Sequence, residues 1–433
     1  MTALVLALSV LITDTLNLKG DVYVAQVDGV IGPVVAEYMD KVIGKAERSG
    51  NVQLVIFELN TPGGLYESTL EIVKTIMNSS VPIAVFVYPS GARAASAGVF
   101  ITMAAHITAM APGTHIGAAH PVLEGGGADT SRVDPTMMKK LENDAVAFIR
   151  SIAKERGRNE EWAEKAVRES ETLVCDEAVR LNVVDLIAPD VQSLLDSVNG
   201  RIIRLKDDRF VKLNTVGART VEIHMSFRER FLKVLSDPTI AFILFMIGMY
   251  GLIFELSHPG AILPGVVGGI AIILALYAFQ RLPVNYAGVA LMVFAFILFV
   301  AEVYVQSHGV LAIGGLISLS VGSIMLFNTT APSFFRISYV TIFTFVGITA
   351  ALLFFVIYKA VQVMRRKPIT GTEGLIGEEG IAKTDITPRG GMVLVHGELW
   401  TAYSDSPIPA GTGVVVEQVK GLKLKVKPKN AEN

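Results

Sequence analysis

The chain has 433 residues, enough for two or three domains, and its hydrophobic fraction of 51% is slightly above that of an ordinary soluble protein. Its 38 basic and 40 acidic residues leave a formal net charge of −2 with no basic cluster outside Arg365-Arg366-Lys367, which argues against a nucleic-acid partner. The single cysteine, Cys175, excludes an internal disulfide and a cysteine-based zinc site, the seven histidines form no ligand pair at helical spacing, and no metal or other cofactor is expected.

In chain order, residues 1–12 form an apolar run too short to cross a bilayer comfortably and closer to a signal-peptide core, although a basic leader is missing. Residues 1–19 are therefore expected to be a signal peptide or an N-terminal anchor. Residues 22–27 alternate as a strand, 31–45 have helical periodicity, and strand, helix and strand continue through 52–57, 65–78 and 81–87. This order predicts a mainly parallel sheet in a domain spanning 20–236. The second strand runs into Asn60-Thr61-Pro62-Gly63-Gly64, whose paired glycines can turn N–H groups toward a ligand. The third runs through a turn at 89–92 into Arg93-Ala94-Ala95-Ser96-Ala97-Gly98, which opens an apolar helical segment. A serine there lies beside unpaired N–H groups and the positive end of a helix dipole, a good place for an oxyanion. Tight helix packing by small residues is the plainer explanation of the same run.

A glycine-rich stretch at 124–128 reads as a loop over the site, followed by helices at about 135–156 and 160–168, a further helical turn at 176–181 and a short strand near 183–187. Residues 190–236 are expected to form a small closing subdomain and a linker.

Charges thin out after Asp237 and return at Arg365, and between them lie five apolar segments, about 239–256, 261–280, 285–304, 308–328 and 338–359. The expected membrane region is 237–360. Glu255 with His258 and Glu302 with His308 sit at two similar junctions, each followed by a glycine pair, which suggests a weak internal repeat. The two carboxylates read either as helix-end caps or as part of a transport path. Arg365-Arg366-Lys367 places the C-terminus in the cytoplasm and, with five crossings, the first domain outside, against the weaker signal of Arg228, Arg230 and Lys233. Residues 368–433 carry five short strands between Gly/Pro turns, the pattern of a small closed barrel. Trp400 and Tyr403 are its only large aromatics, so packing or protein contact suits them better than nucleic acid.

The runs Asn60–Gly64, Ala94–Gly98, Met110-Ala111-Pro112-Gly113-Thr114, Ile116–Pro121 and Glu177-Ala178 leading to Val184-Asp185 resemble the ClpP/crotonase superfamily. Within it they are similar to the membrane-bound serine proteases of the long NfeD type, relatives of signal peptide peptidase A. The stretch 371–377, with Gly397, Trp400 and Gly421, looks like the NfeD C-terminal OB-type barrel. The resemblance implies a ClpP/crotonase-like α/β domain, transmembrane helices and an all-β OB-type barrel. It also implies a serine endopeptidase that cleaves hydrophobic segments of stomatin- or prohibitin-type membrane proteins, works at the lipid bilayer and forms a homo-oligomer.

Ser96 is the expected nucleophile, with the N–H groups of Gly64 and Ala97 as its oxyanion hole. Two bases compete. Lys140 aligns with the lysine of a Ser-Lys dyad when counted back from Arg156-Gly157-Arg158-Asn159, and it must be desolvated, its helix carrying it inward while Lys139 faces solvent. His120 matches the place of the ClpP histidine but needs an orienting aspartate, for which Asp176 and Asp185 are the candidates. Val99, Phe100 and Met103 are expected as apolar walls beside the nucleophile. A crotonase-like acyl-CoA enzyme would need an adenine or phosphate site that the sequence does not display, and a non-enzymatic scaffold for stomatin-like proteins is the alternative function.

Overall fold

The computed structural model describes residues 16–121, 135–258, 260, 262–282, 284–305, 307, 309–327, 337–364 and 372–429. The expected leader at 1–12, the loop at 124–128, His308 and Arg365–Lys367 lie outside them. The chain divides into two compact units at residues 349 and 350.

The first unit begins with β1 (Leu16–Asn17), β2 (Asp21–Asp28), α1 (Pro33–Ser49), β3 (Val52–Asn60), α2 (Tyr66–Met77) and β4 (Ile83–Val87). There follow β5 (Arg93–Ala95), α3 (Ala97–Ala104), β6 (Ile107–Met110), β7 (His115–Gly117), α4 (Pro135–Glu155), α5 (Glu160–Arg168), β8 (Thr172–Val174), α6 (Cys175–Arg180) and β9 (Leu186–Ile187). The segment is completed by α7 (Val191–Val198), β10 (Ile202–Arg204), β11 (Phe210–Lys212), β12 (Thr220–Ile223) and α8 (Phe227–Leu235). The main sheet has the order β12-β2-β3-β4-β6-β9 and every neighbouring pair in it is parallel, as the alternation of strands and helices predicts.

A parallel sheet must be covered on both faces, and the strands are apolar on both sides for that reason. Val55, Phe57, Val85 and Val87 face a core built with α1 to α5, whereas Leu54, Ile56, Ala84 and Phe86 face Leu194, Leu195, Val198, Ile203 and Val211. Residues 191–213 thus close the second face. The expected linker beyond them contains a further strand: β12 adds to the edge of the main sheet, with Thr220 opposite Val22 and Ile223 opposite Ala25. The Tyr38 hydroxyl donates to the Ile223 carbonyl at 2.5 Å, and Lys41 reaches Glu229 at 2.7 Å, so α1 fastens both β12 and α8.

Five apolar helices follow: α9 (Pro238–Ser257), α10 (Ile262–Phe279), α11 (Tyr286–Tyr304), α12 (Val310–Leu326) and α13 (Tyr339–Met364). Three of the described helices, Pro238–Ser257, Ile262–Phe279 and Tyr339–Lys359, are long and apolar enough to cross a membrane, while Tyr286–Glu302 and Val310–Leu326 are shorter apolar helices. α9 with α10 and α11 with α12 are two hairpins that approach through glycine: a Cβ at Gly251 would stand 2.8 Å from the Gly268 Cα, and one at Gly288 2.9 Å from the Gly322 carbonyl oxygen. Glu302 accepts hydrogen bonds from the Ser307 hydroxyl and from the N–H groups of Gly309 and Ala312, and so caps the start of α12. That is the helix-end role of the two weighed for it.

In the second unit β13 (Glu379–Ala382), β14 (Gly391–Val395), β15 (Glu398–Tyr403), β16 (Gly413–Lys420) and β17 (Lys423–Pro428) form a closed barrel in the order β13-β14-β15-β17-β16. Every other residue points inward, as at Val393, Val395, Val414 and Val416, and Trp400 packs against this core.

Candidate active site

Ser96 sits between β5 and α3, in a short strand-to-helix junction that sequence periodicity does not reveal. β5 exists by pairing: Arg93, Ala94 and Ala95 lie opposite His115, Ile116 and Gly117 of β7, and Ala94 also bridges to Thr61 just past the end of β3. This second pairing ties the serine segment to the Pro-Gly-Gly turn, because Thr61 N–H donates to the Arg93 carbonyl at 2.8 Å and Ala95 N–H to the Thr61 carbonyl at 3.1 Å. Ser96 has φ 51° and ψ −111°, uncommon for a side-chain-bearing residue and costing on the order of 1–3 kcal/mol. Its N–H donates to the Gly117 carbonyl at 3.2 Å and its own carbonyl accepts from Val99 N–H at 2.9 Å, which holds the conformation from both sides. Although Ser96 is the N-cap of α3, its hydroxyl makes no capping bond. The usual role of an N-cap serine is left undone, and the oxygen is available for chemistry.

Donors converge on the same end of the sheet. Ile31 N–H binds the Gly63 carbonyl at 2.9 Å and Leu65 N–H binds the Ile31 carbonyl at 2.8 Å, which presses residue 64 against the chain; a Cβ there would stand 2.0 Å from the Ile31 oxygen. Gly63, at φ 124°, has its N–H on the Thr61 hydroxyl at 3.0 Å. The N–H groups of Gly64, Ala97 and Gly98 have no acceptor among the described residues. At Ala97 and Gly98 this follows from the first turn of a helix, where N–H groups lack an intrahelical partner. A cavity of about 370 Å³ reaches Leu65 and is lined also by Lys233, Pro238 and Leu282.

Val99, Phe100 and Met103, expected as apolar walls beside the serine, are buried in the core on the helix that Ser96 caps. They fill the space under α3, where Phe100 stacks on Phe148 at 6.0 Å and meets Tyr66 edge-on at 6.4 Å.

The bases stand differently. His120 is half-buried, and its Nδ1 lies 3.0 Å from the Val167 carbonyl. Neither aspartate expected to orient it does so among the described residues: Asp185 is bound to Arg158 at 3.1 Å and to Thr108 N–H at 2.6 Å, and Asp176 lies 3.9 Å from Cys175 Sγ. Burial opposes ionisation of Asp185, but Arg158 and the Thr108 donors outweigh it and hold its carboxyl below the usual carboxylate range. On α4, Lys139 faces solvent as expected, but Lys140 is exposed too, which corrects the expectation that the helix carries it inward. The buried face of α4 runs through Ala145, Val146, Ile149, Ile152 and Ala153, on the far side of the helix from Lys140. Lys140 instead begins the row Lys140, Asp144 and Phe148. Asp144 accepts from the Tyr66 hydroxyl at 3.2 Å and Phe148 stacks on Phe100, so this row adjoins the helices that follow Gly64 and Ser96. Burial, then the Asp144 charge, pushes the Tyr66 phenol up to about 12. Tyr66 and Asp144 are contacts that no motif announced.

Comparison with known proteins accounts for all three regions. The NfeD1b N-terminal domain matches residues 21–200, the NfeD integral membrane domain 239–359, and the NfeD-like C-terminal, partner-binding domain 372–428. The membrane-bound protease PH1510 of Pyrococcus horikoshii is 34% identical over 414 residues, covering 94% of this chain and 93% of that protein. The chain belongs to the NfeD family. The membrane protein NfeD1b of Bacillus subtilis is 27% identical over 440 residues, with 94% and 93% covered. Among solved structures, the 1510-N membrane protease specific for a stomatin homolog from Pyrococcus horikoshii is 34% identical, covering 51% of this chain and all of that one, with a TM-score of 0.44. The three family matches follow the three parts of this NfeD chain: the α/β domain, the apolar helices and the barrel.

Proposed function

We propose that this NfeD protein is a membrane-anchored serine endopeptidase in which Ser96 is the nucleophile and Lys140 the base. The observation that carries the reading is the uncapped Ser96 hydroxyl, held at a strained junction beside the open N–H groups of Gly64 and Ala97. Lys140, in its neutral form, takes the proton of Ser96 Oγ as the oxygen attacks the peptide carbonyl, and returns it to the leaving amine. The Gly64 and Ala97 N–H groups stabilise the oxyanion, and water then releases the acyl group by the same route. An exposed lysine is a poor base because water favours its ammonium form. A bound apolar segment covering Lys140 supplies the missing desolvation, so catalysis and an apolar substrate go together.

The substrate class is accordingly the hydrophobic part of a stomatin- or prohibitin-type membrane protein, as the family resemblance implies. The α/β domain at 20–236 lies outside the cell membrane, the barrel at 368–433 in the cytoplasm, and the protein works as a homo-oligomer. A fluorophosphonate probe tests the nucleophile: it labels the wild type at Ser96 and leaves Ser96→Ala unlabelled. The exposure of Lys140 is the observation that favours a scaffold for stomatin-like partners instead, and an oligomer that neither labels nor cleaves any apolar peptide would establish that second reading.

A further inference from the structure

The end of the main sheet opposite Ser96 holds a group of buried donors that the proposed peptidase does not use. His106 precedes β6, and its Nδ1 accepts from Ile83 N–H at 3.2 Å, which leaves the proton of the neutral ring on Nε2. That Nε2 is buried and has no partner among the described residues, and the same holds for Arg156 Nη2 and Arg158 Nε. Arg156 spends its Nε on the Ala104 carbonyl at 2.7 Å, and Arg158 spends its Nη2 on the Ala105 carbonyl at 3.2 Å and on Asp185. His106 and Arg156 line a cavity of about 190 Å³ together with Glu155, Arg204 and Lys206. Buried polar groups normally find partners, so the unmet donors of His106 and Arg156, two residues that line one cavity, call for an acceptor.

Charge points the same way. Arg204 is shared by Asp208 at 2.7 Å and Glu155 at 3.8 Å, and Arg158 is matched by Asp185. Arg156 and Lys206 have no carboxylate within ion-pair distance among the described residues. Burial, then the charges of Arg156 and Arg158, holds the His106 ring down at about 3, so it is a neutral donor near pH 7. The cavity has room for several waters, at about 30 Å³ each, or for one oxyanion with its hydration. Glu155 lines the same cavity and its charge acts on Arg156, but from beyond ion-pair distance; water satisfies the donors without adding to this partial compensation, whereas a tetrahedral oxyanion does both.

We propose that the cavity lined by His106, Arg156 and Lys206 is a binding site for a phosphate group, separate from the peptidase site and carried on a soluble phosphate ester or a lipid headgroup. Arg156 and Lys206 supply the charge, and His106 Nε2–H a neutral hydrogen bond. The test uses the full chain in detergent, titrated with inorganic phosphate against sodium chloride at equal ionic strength, with the thermal midpoint as the readout. Phosphate raises the midpoint saturably in the wild type. Lys206→Gln, an exposed position that does not endanger folding, and Arg156→Gln each weaken the apparent affinity roughly tenfold, the loss of one charge-assisted hydrogen bond. Mixed micelles of phosphatidate against phosphatidylcholine separate the two sources: a response to soluble phosphate assigns a free phosphate ester, and a response to phosphatidate alone assigns a headgroup. The proposal is overturned if neither probe shifts the midpoint, which leaves water in the cavity, or if Lys206→Gln responds as the wild type does.

Discussion

The two ends of the main sheet deal with unpaired donors in opposite ways. At the Ser96 end the open groups are main-chain N–H, produced by a turn and by the first turn of a helix, beside a half-buried serine that solvent reaches. At the His106 end they belong to side chains and are buried. An open N–H costs little while water can reach it and stabilises an oxyanion strongly once a substrate displaces that water. A buried guanidinium must be matched permanently, and at that end Asp185 does so for Arg158. In the proposed peptidase one end is thus prepared for charge that appears during the reaction, and the other holds charge that is always present.

That contrast can be broken first at the serine. Ser96→Ala and Lys140→Ala should each lower cleavage of an apolar peptide by at least about 10⁴-fold with little change in the thermal midpoint. Lys139→Ala and His120→Ala should retain most activity; a dead His120→Ala beside an active Lys140→Ala would reverse the assignment of the base. At the opposite end, Arg158→Met should leave the chemistry of Ser96 intact and cost about 3–5 kcal/mol by stranding Asp185. For a domain of this size that corresponds to a fall of roughly 10 °C in the midpoint, read by near-UV circular dichroism.

Gly64→Ala sharpens the role of the turn. Its Cβ would collide with the Ile31 carbonyl, so the loop must shift, and loss of the proposed oxyanion donor should lower kcat by about 10²–10³-fold with KM nearly unchanged. An unchanged kcat would remove Gly64 from the site.

Acid should find the His106 end first. The folded protein keeps His106 neutral down to about 3, while the unfolded chain takes up that proton below about 6.5. Stability should therefore fall as pH drops from about 6.5 toward about 3, because the unfolded state binds more protons across that window. Asp185 adds its own loss lower down, as pH falls from the ordinary carboxylate range through its depressed folded value. His106→Gln should flatten the upper part of this decline, and an identical profile in that variant would assign it to other groups. The smallest effect belongs to the strain at residue 96: Ser96→Gly should be about 1 kcal/mol more stable than Ser96→Ala, since glycine adopts φ 51° freely.

The parts legible in the sequence are those fixed by local periodicity. β2, β3 and β4, the five apolar helices and the five barrel strands all carry their burial pattern within a few consecutive residues, and the Ser96 and Gly64 motifs mark strand ends. The parts that were not legible depend on distant partners. β5, β7 and β8 have three residues each and are strands only because they pair with one another. β12 carries no signal stronger than its neighbours until β2 lies beside it. Lys140 shows the limit for the site: counting from the Arg-Gly-Arg-Asn run selects the residue, but solvent exposure is set by which groups pack against α4, and its buried face is chosen by Ala145, Ile149 and Ile152.

The late arrival of β12 matters for synthesis. β2 is made near the start of the chain, yet the strand that completes its outer edge, and the Ile223 carbonyl that Tyr38 binds from 185 residues away, emerge only much later. At the usual pace of about 5–20 residues per second, the N-terminal strands wait on the order of tens of seconds with an open row of hydrogen-bonding groups. An unpaired apolar edge of that kind invites pairing with another nascent chain. The first membrane helix begins at Pro238, 15 residues after β12 ends at Ile223, so the sheet is completed just as the chain reaches the bilayer.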